Sequence, residues 1–341
     1  MTTICICGGG SLGHVTAGYL AAKENISVNI LTRRPQAWQK DIRVHTPEGA
    51  TITAPLTKIT DSAAEAIPEA DIILLCLPGY AIKSELQSIQ PHIKPGAFVG
   101  SVFCSTGFFF EAIEIFGADT PLWGFQRVPF IARTKEYGRS ANLLGYKPSH
   151  NIAIENCSDK EAFRQQIEHL FDRPTRLLAN HYEATFTNSN PILHPARLYS
   201  LFKDWDKEKY YNRRHLFYEE WDDSASEYLM AMDNELFTLL ATLPVTPNYL
   251  TPILEHYESH DAPSLTRKIT SIESFKGIAA PMSESEKGWQ PDLQSRYFQE
   301  DFNYGLRYIY QTAIRQGLHL PTIEKIYNWG SNLLSKQTYL I

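Results

Sequence analysis

Cysteine is scarce: five residues in 341, at positions 5, 7, 76, 104 and 157. An odd, scattered set gives no disulfide framework, and these side chains read as small buried apolar groups. Cys5 and Cys7 would share one face of a strand, too few ligands for a metal without distant help, so no metal is expected. Long hydrophobic runs are also missing. The most apolar stretch, IILLCL at Ile72 to Leu77, falls far short of the roughly 20 residues a membrane helix needs. Basic runs are absent too: 32 Lys and Arg stand against 38 Asp and Glu, a net charge of -6, which makes nucleic acid a poor partner. The opening MTTICICGGG has neither the basic start nor the unbroken apolar core of a secretory signal, so a cytoplasmic location is expected. No internal repeat or low-complexity linker interrupts the chain.

Core-forming material is plentiful, with 43% hydrophobic and 12% aromatic residues in a length that suits about two domains. The first half alternates short apolar runs with helical ones: TICIC, a helix from about Leu12 to Glu24, SVNILT, DIILLCLP, a helix near Tyr80 to Ile89, and AFVGSVF. PLWGF, NIAIEN, a helix over Lys160 to Phe171 and TRLLA follow. That rhythm predicts an α/β Rossmann domain over 1–180, a doubly wound parallel sheet covered on both faces. Beyond it, helical spacing takes over, as in Tyr228, Met232, Leu236 and Leu240. An all-α domain is expected over 181–341. Its helix from Ser224 to Leu243 opens on a serine in capping-box spacing with Glu227 and stops before Pro244. Residues 244–293 should be mostly loop and short helix, and a last helical stretch begins near Arg296.

In CGGGSLGHVTAGYLA, Gly8, Gly10 and Gly13 form Gly-x-Gly-x-x-Gly between a strand and a helix. The first glycine permits the tight turn, the second lets backbone approach a pyrophosphate, and the third lets helix and sheet pack closely. Ser11 and Leu12 then open the helix whose amides face the anion. SVNILT ends where an adenosine ribose should lie, and it is followed by Thr32, Arg33 and Arg34 in place of an acidic residue. Guanidinium groups suit a ribose 2′-phosphate, so NADP(H) is favoured over NAD(H). Leu77 and Pro78, ending a later strand, are placed beside the ribose and nicotinamide.

One imidazole stands between two prolines in NSNPILHPARLY. Histidine as a residue type can serve as acid or base at cellular pH, which makes His194 a candidate for acid-base work, although Pro191 and Pro195 could just punctuate a helix start. Near the far end lies SRYFQEDFNYGL, where Asp301 could cap a helix starting at Phe302 and Arg296 could be a surface charge. His256 and His260 have the i, i+4 spacing of metal ligands, but HYESH sets its glutamate wrongly for HExxH.

The ordered set GGGSLG, NPILHP, HLFYEEWDDSASEYLMAMDNELFTLL, SFKGI and RYFQED resembles the octopine/nopaline dehydrogenase family, the opine dehydrogenases, over essentially the whole chain. The resemblance implies a Rossmann domain followed by a helical one, and NAD(P)H-dependent reductive condensation of a 2-keto acid with the amino group of an amino acid. It further implies that His194 is the catalytic histidine, Asp301 its paired carboxylate and Arg296 the keto-acid carboxylate ligand, with Asn190 helping to orient substrate. Lys276 in SFKGI has no firm role. Partners are then small molecules, a 2-keto acid and an amino acid or amine, and an apolar helical domain permits a homodimer. Two other readings stand beside this one: reduction of a 2-keto acid to a 2-hydroxy acid, as in the similar ketopantoate reductases, and an NADPH-binding redox sensor without turnover.

Overall fold

A computed structural model describes residues 1–338. The chain divides into two units, Met1–Thr187 and the residues from Asn188 onward. The division lies beyond residue 180 because the short helix His181–Thr185 is tied into the first unit. Asn180 caps it through Tyr182 N at 3.0 Å, Glu155 lies 2.9 Å from His181 Nδ1, and Ser105 Oγ donates to Thr185 O.

The first unit is built on an eight-stranded sheet. Its central strand, Thr2–Cys7, pairs in parallel with Ile26–Leu31 on one side and Ile72–Leu75 on the other. The strand order therefore reverses at this point, where α/β sheets hold their ligands. Lys58–Thr60, Phe98–Ser101 and Leu122–Phe125 extend the parallel array. His150–Glu155 then adds antiparallel, with Thr175–Leu177 beside it. Strand alternation builds two cores: Ile4 and Ile6 point into one, Cys5 and Cys7 into the other.

A second sheet of four strands was not anticipated: Thr51–Pro55, Asp41–His45, Ser140–Tyr146 and Phe130–Glu136 in spatial order. Its strands are short and polar on one face, as the burial of Ile42 and Val44 between exposed Asp41 and Arg43 shows. Such half-buried alternation is easily taken for loop. The helix Ser11–Ala21 packs against both sheets, which explains why it is buried almost all round, from Gly13 to Gly18. His14 joins its start to the second sheet: Nδ1 lies 2.9 Å from Gly10 O, and Nε2 accepts from Gly138 N at 2.7 Å. Burial depresses the basicity of this imidazole, consistent with a neutral ring that donates on one side and accepts on the other.

The second unit is helical, with one small hairpin, Met282–Ser285 and Gly288–Pro291, as its exception. The helix Asp223–Leu240 buries Leu229, Met232, Leu236, Leu239 and Leu240 along one stripe. Asp222, rather than Ser224, caps it, accepting from Ala225 N at 2.7 Å. Among the described residues no helix is long and apolar enough to cross a membrane.

Candidate active site

NPILHPARLYSLF forms one helix, Asn190–Phe202. Pro191 sits in its first turn, where the missing N–H has no intrahelical partner to lose. Pro195 lies inside the helix and withholds a hydrogen bond from the Pro191 carbonyl, one turn back. His194 is thus held between two fixed backbone torsions, with 8% of the residue exposed. Its Nδ1 lies 2.7 Å from Asp301 Oδ2 and its Nε2 lies 3.0 Å from the Tyr218 hydroxyl.

Asp301 ends the helix Arg296–Asp301, which runs on through a π-helical turn, Phe302–Leu306, into Arg307–Arg315. The carboxylate therefore caps nothing. A π turn inserts an extra residue and redirects side chains, a device frequent at functional sites. Gly305 makes this one fit, since a Cβ there would meet Pro191 Cγ at 2.7 Å. Tyr297, one turn before Asp301, lays its ring 4.6 Å from the imidazole. The family resemblance pointed to His194 and Asp301, and nothing in the sequence pointed to Tyr297 or Tyr218.

The segment carrying Tyr218 is fastened to the histidine helix by Arg197, which is fully buried. Its Nε donates to Phe217 O at 2.9 Å, Nη1 to Asp222 Oδ2 at 3.1 Å, and Nη2 to Glu220 O. Glu220 in turn grips Arg213 and His215 and accepts from Leu216 N, and these contacts, Arg213 foremost, hold its carboxyl at about 2. Burial pushes the Tyr218 phenol well above its ordinary value, reinforced by Tyr297, Tyr257 and the Asp301 charge. Burial and Asp301 raise Tyr297 as well. Both phenols stay protonated at neutral pH.

Asn190 is exposed, one turn before His194, with its own N–H turned to Asn188 Oδ1 at 3.3 Å. Arg296 is exposed and has no ion-pair or hydrogen-bond partner among the described residues, so the structure does not join it to His194 or Asp301. Lys276 is half-exposed and pairs with Glu273 at 2.5 Å. His260 faces Asp261 at 3.6 Å, and no group of three His, Cys, Asp or Glu among the described residues could hold a metal.

In the first unit, Gly8 has φ +120, and a Cβ on it would meet Cys76 O at 2.7 Å and Leu77 at 2.9 Å. Gly13 presses on the Gly8 carbonyl, whereas a Cβ on Gly10 would meet nothing within 4 Å. Two glycines are therefore needed for close packing and the third leaves open space at a helix start that no side chain caps. An open, amide-lined turn at a strand reversal fits a pyrophosphate. Ser11 Oγ accepts from Thr134 N at 3.0 Å, tying Ser11 to the second sheet and leaving Leu12 half-buried beside it. Leu77 and Pro78 are half-buried at the strand end. Thr32 is buried with Oγ1 3.3 Å from Tyr137 Oη, and the Arg34 guanidinium stands 4.1 Å over that ring. Arg33 and Arg34 are exposed. Burial raises the Glu85 carboxyl, while Cys7 and the Arg33 charge draw it back.

Comparison with known proteins matches both halves. The alpha-helical domain of NAD/NADP octopine/nopaline dehydrogenases matches residues 177–334, and ketopantoate reductase PanE/ApbA matches residues 4–103. The opine dehydrogenase of Haliotis discus hannai is 26% identical over 368 residues, covering 98% of this chain and 91% of its own length. A solved octopine dehydrogenase with NADH and L-arginine superposes with a TM-score of 0.85 at 25% identity, covering 98% of this chain and 90% of that one. The same enzyme with NADH and pyruvate gives 0.82 at 25% identity, with 98% and 89% covered. The chain is therefore similar to opine dehydrogenases along nearly its whole length, and residues 177–334 match the alpha-helical domain of the NAD/NADP octopine/nopaline dehydrogenases.

Proposed function

We propose that the protein is an NAD(P)-dependent opine dehydrogenase that reductively condenses a 2-keto acid with the amino group of an amino acid. The observation that carries this reading is the 2.7 Å contact between His194 and Asp301, residues 107 apart in sequence, inside the domain that matches this family. A bound nicotinamide would supply the hydride. The chain's own part is proton traffic and positioning. Condensing a ketone with an amine expels water, and the departing hydroxyl needs a proton. Asp301 fixes the proton of neutral His194 on Nδ1 and favours the charged ring when it forms, the role a carboxylate plays in acid-base dyads. Arg296, exposed and unpaired among the described residues, offers a planar fork to the keto-acid carboxylate. Asn190 stands on the histidine helix as a further polar contact for substrate.

The first unit would hold the dinucleotide through Gly8, Gly10, Ser11, Leu12 and Gly13. Arg33 and Arg34, with no acidic residue directly after Leu31, support NADP(H) over NAD(H). The match to ketopantoate reductases falls on this nucleotide-holding half, while the match over residues 177–334 favours amine condensation over plain keto-acid reduction. The deciding experiment is oxidation of NADH and NADPH with a panel of 2-keto acids, each with and without amino acids, and products weighed by mass spectrometry. Amine-dependent turnover giving a secondary amine is expected. Amine-independent formation of a 2-hydroxy acid would replace this reading with ketone reduction. Arg296→Lys, which keeps the charge and loses the fork, should raise the keto-acid KM severalfold and spare cofactor affinity, and unchanged keto-acid kinetics would return Arg296 to the surface.

A further inference from the structure

Both ring nitrogens of His194 are occupied: Nδ1 lies against Asp301 at 2.7 Å, and Nε2 against Tyr218 Oη at 3.0 Å. With the Asp301 carboxylate claiming the Nδ1 proton, a neutral ring offers only a lone pair at Nε2, and the Tyr218 hydroxyl donates to it. When the ring is charged, Nε2 donates and the same phenol oxygen accepts. A hydroxyl suits both states because it is donor and acceptor at once. No other side chain is hydrogen-bonded to Nε2 among the described residues.

The fold invests heavily in this contact. Phe275 stacks on the Tyr218 ring at 4.2 Å and 18°, Trp221 lies nearly parallel at 6.3 Å, and Phe217 meets it edge-on at 4.9 Å. Arg197, buried on the histidine's own helix, binds the carbonyls on either side of Tyr218, those of Phe217 and Glu220. The same helix thus carries the imidazole and the anchor for the hydroxyl that faces it. Placing a full guanidinium in the interior is costly unless its donors are satisfied. Here two of its nitrogens are spent on the backbone that positions one phenol, and the third is paired with Asp222.

We infer that Tyr218 is the terminal proton donor of a three-member unit, Asp301, His194 and Tyr218, through which His194 exchanges its proton with substrate. This rests on the opine dehydrogenase reading for its substrate. In the acid direction the departing substrate oxygen takes the phenolic proton, and the phenol oxygen takes the proton on Nε2. The imidazolium becomes neutral and Tyr218 ends as it began. In the base direction both transfers reverse. Burial raises the pKa of this phenol and so disfavours a lasting phenolate, so the two protons move together.

Tyr218→Phe removes the hydroxyl and keeps the ring between its neighbours. Turnover should fall about 10²-fold or more, in the range acid-base help supplies, with NADH and NADPH dissociation constants unchanged. The dependence of rate on the deuterium fraction of the solvent should be curved in the parent, with two protons in flight, and linear in the residual activity of the variant. Turnover within about threefold of the parent would overturn the inference. Nitrogen NMR of His194 gives a readout free of turnover: the Nε2 resonance should shift in Tyr218→Phe while the Nδ1 resonance stays, and an unmoved Nε2 would overturn the contact itself. A parent that oxidises neither cofactor with any keto acid, with or without amine, overturns the functional reading instead. The NMR comparison still decides the tyrosine.

Discussion

The two proposed sites are made from different materials. In the first, the site is backbone: four glycines within six residues of sequence, a helix start and the end of an adjacent strand. In the second it is side chains, drawn from Asn190–Phe202, the loop around Tyr218, and Arg296–Asp301, and joined by packing and long-range hydrogen bonds. A backbone site is damaged by adding atoms, because a Cβ at Gly13 has nowhere to go but into the Gly8 carbonyl. A side-chain site is damaged by removing them. Substitutions should therefore separate the units by what they change: affinity and stability in the first, turnover in the second.

The sharpest break falls on the dyad. His194→Ala should lower turnover about 10² to 10⁴-fold with cofactor affinity nearly unchanged, and Asp301→Asn should lower it by disturbing tautomer and charge. The double variant should lose much less than the product of the single losses, because the pair acts as one unit. Steady-state kinetics with a separate cofactor titration checks all three, and strictly multiplicative losses would show two independent residues. Next in size, Arg33→Ala should weaken NADPH binding by about 1.5 to 3 kcal/mol, the worth of a charge-assisted contact, and leave NADH untouched. Equal loss for both cofactors would remove the 2′-phosphate from the argument.

Gly13→Ala tests the backbone site directly. Crowding of this kind costs about 1 to 3 kcal/mol, so denaturant unfolding should show a loss of that size together with weaker dinucleotide binding. An unaffected protein would mean the turn is free to open. The smallest effect is expected at Asp233, buried in the helical unit with its carboxyl pushed up to about 6 by desolvation, partly offset by Ile253 N. The native state then binds this proton more tightly than the unfolded chain, whose value lies near 3.8. The ionisation penalty is absent below that pH, grows through the window, and is complete above about 6. Asp233→Asn should stabilise the protein by up to about 2 kcal/mol at pH 8 and by nothing at pH 3.5, in melts at the two pH values. It should leave cofactor affinity alone, which distinguishes it from Gly13→Ala.

Legibility followed the range of the interactions. The strands of the main sheet other than Lys58–Thr60, the helix Lys160–Phe171 and the start near Arg296 were written in local periodicity and matched closely. The four-stranded sheet was not, since its strands alternate burial over only five to seven residues and draw partners from 41–55 and 130–146. Within the site, His194 and Asp301 could be named from motifs, but Tyr218 and Tyr297 could not. Nothing local distinguishes Tyr218 from other aromatics in HLFYEEWDD, and Tyr297 becomes a neighbour of the imidazole only once its helix is set against the histidine's.

By itself the sequence determined what short-range chemistry can encode: the glycine turn between strand and helix, the arginines after the second strand, a histidine between two prolines, and the change from strand to helical spacing near residue 180. Those features depend on torsional freedom and periodicity, which act over a few residues. Only the tertiary structure decided that Asp301 meets Nδ1 and does not cap a helix, that Tyr218 takes Nε2, and that a buried Arg197 holds that phenol in place. A hydrogen bond between residues 107 apart forms only after chain entropy has been overcome by packing, and the packing here runs through a π turn closed by Gly305 against Pro191.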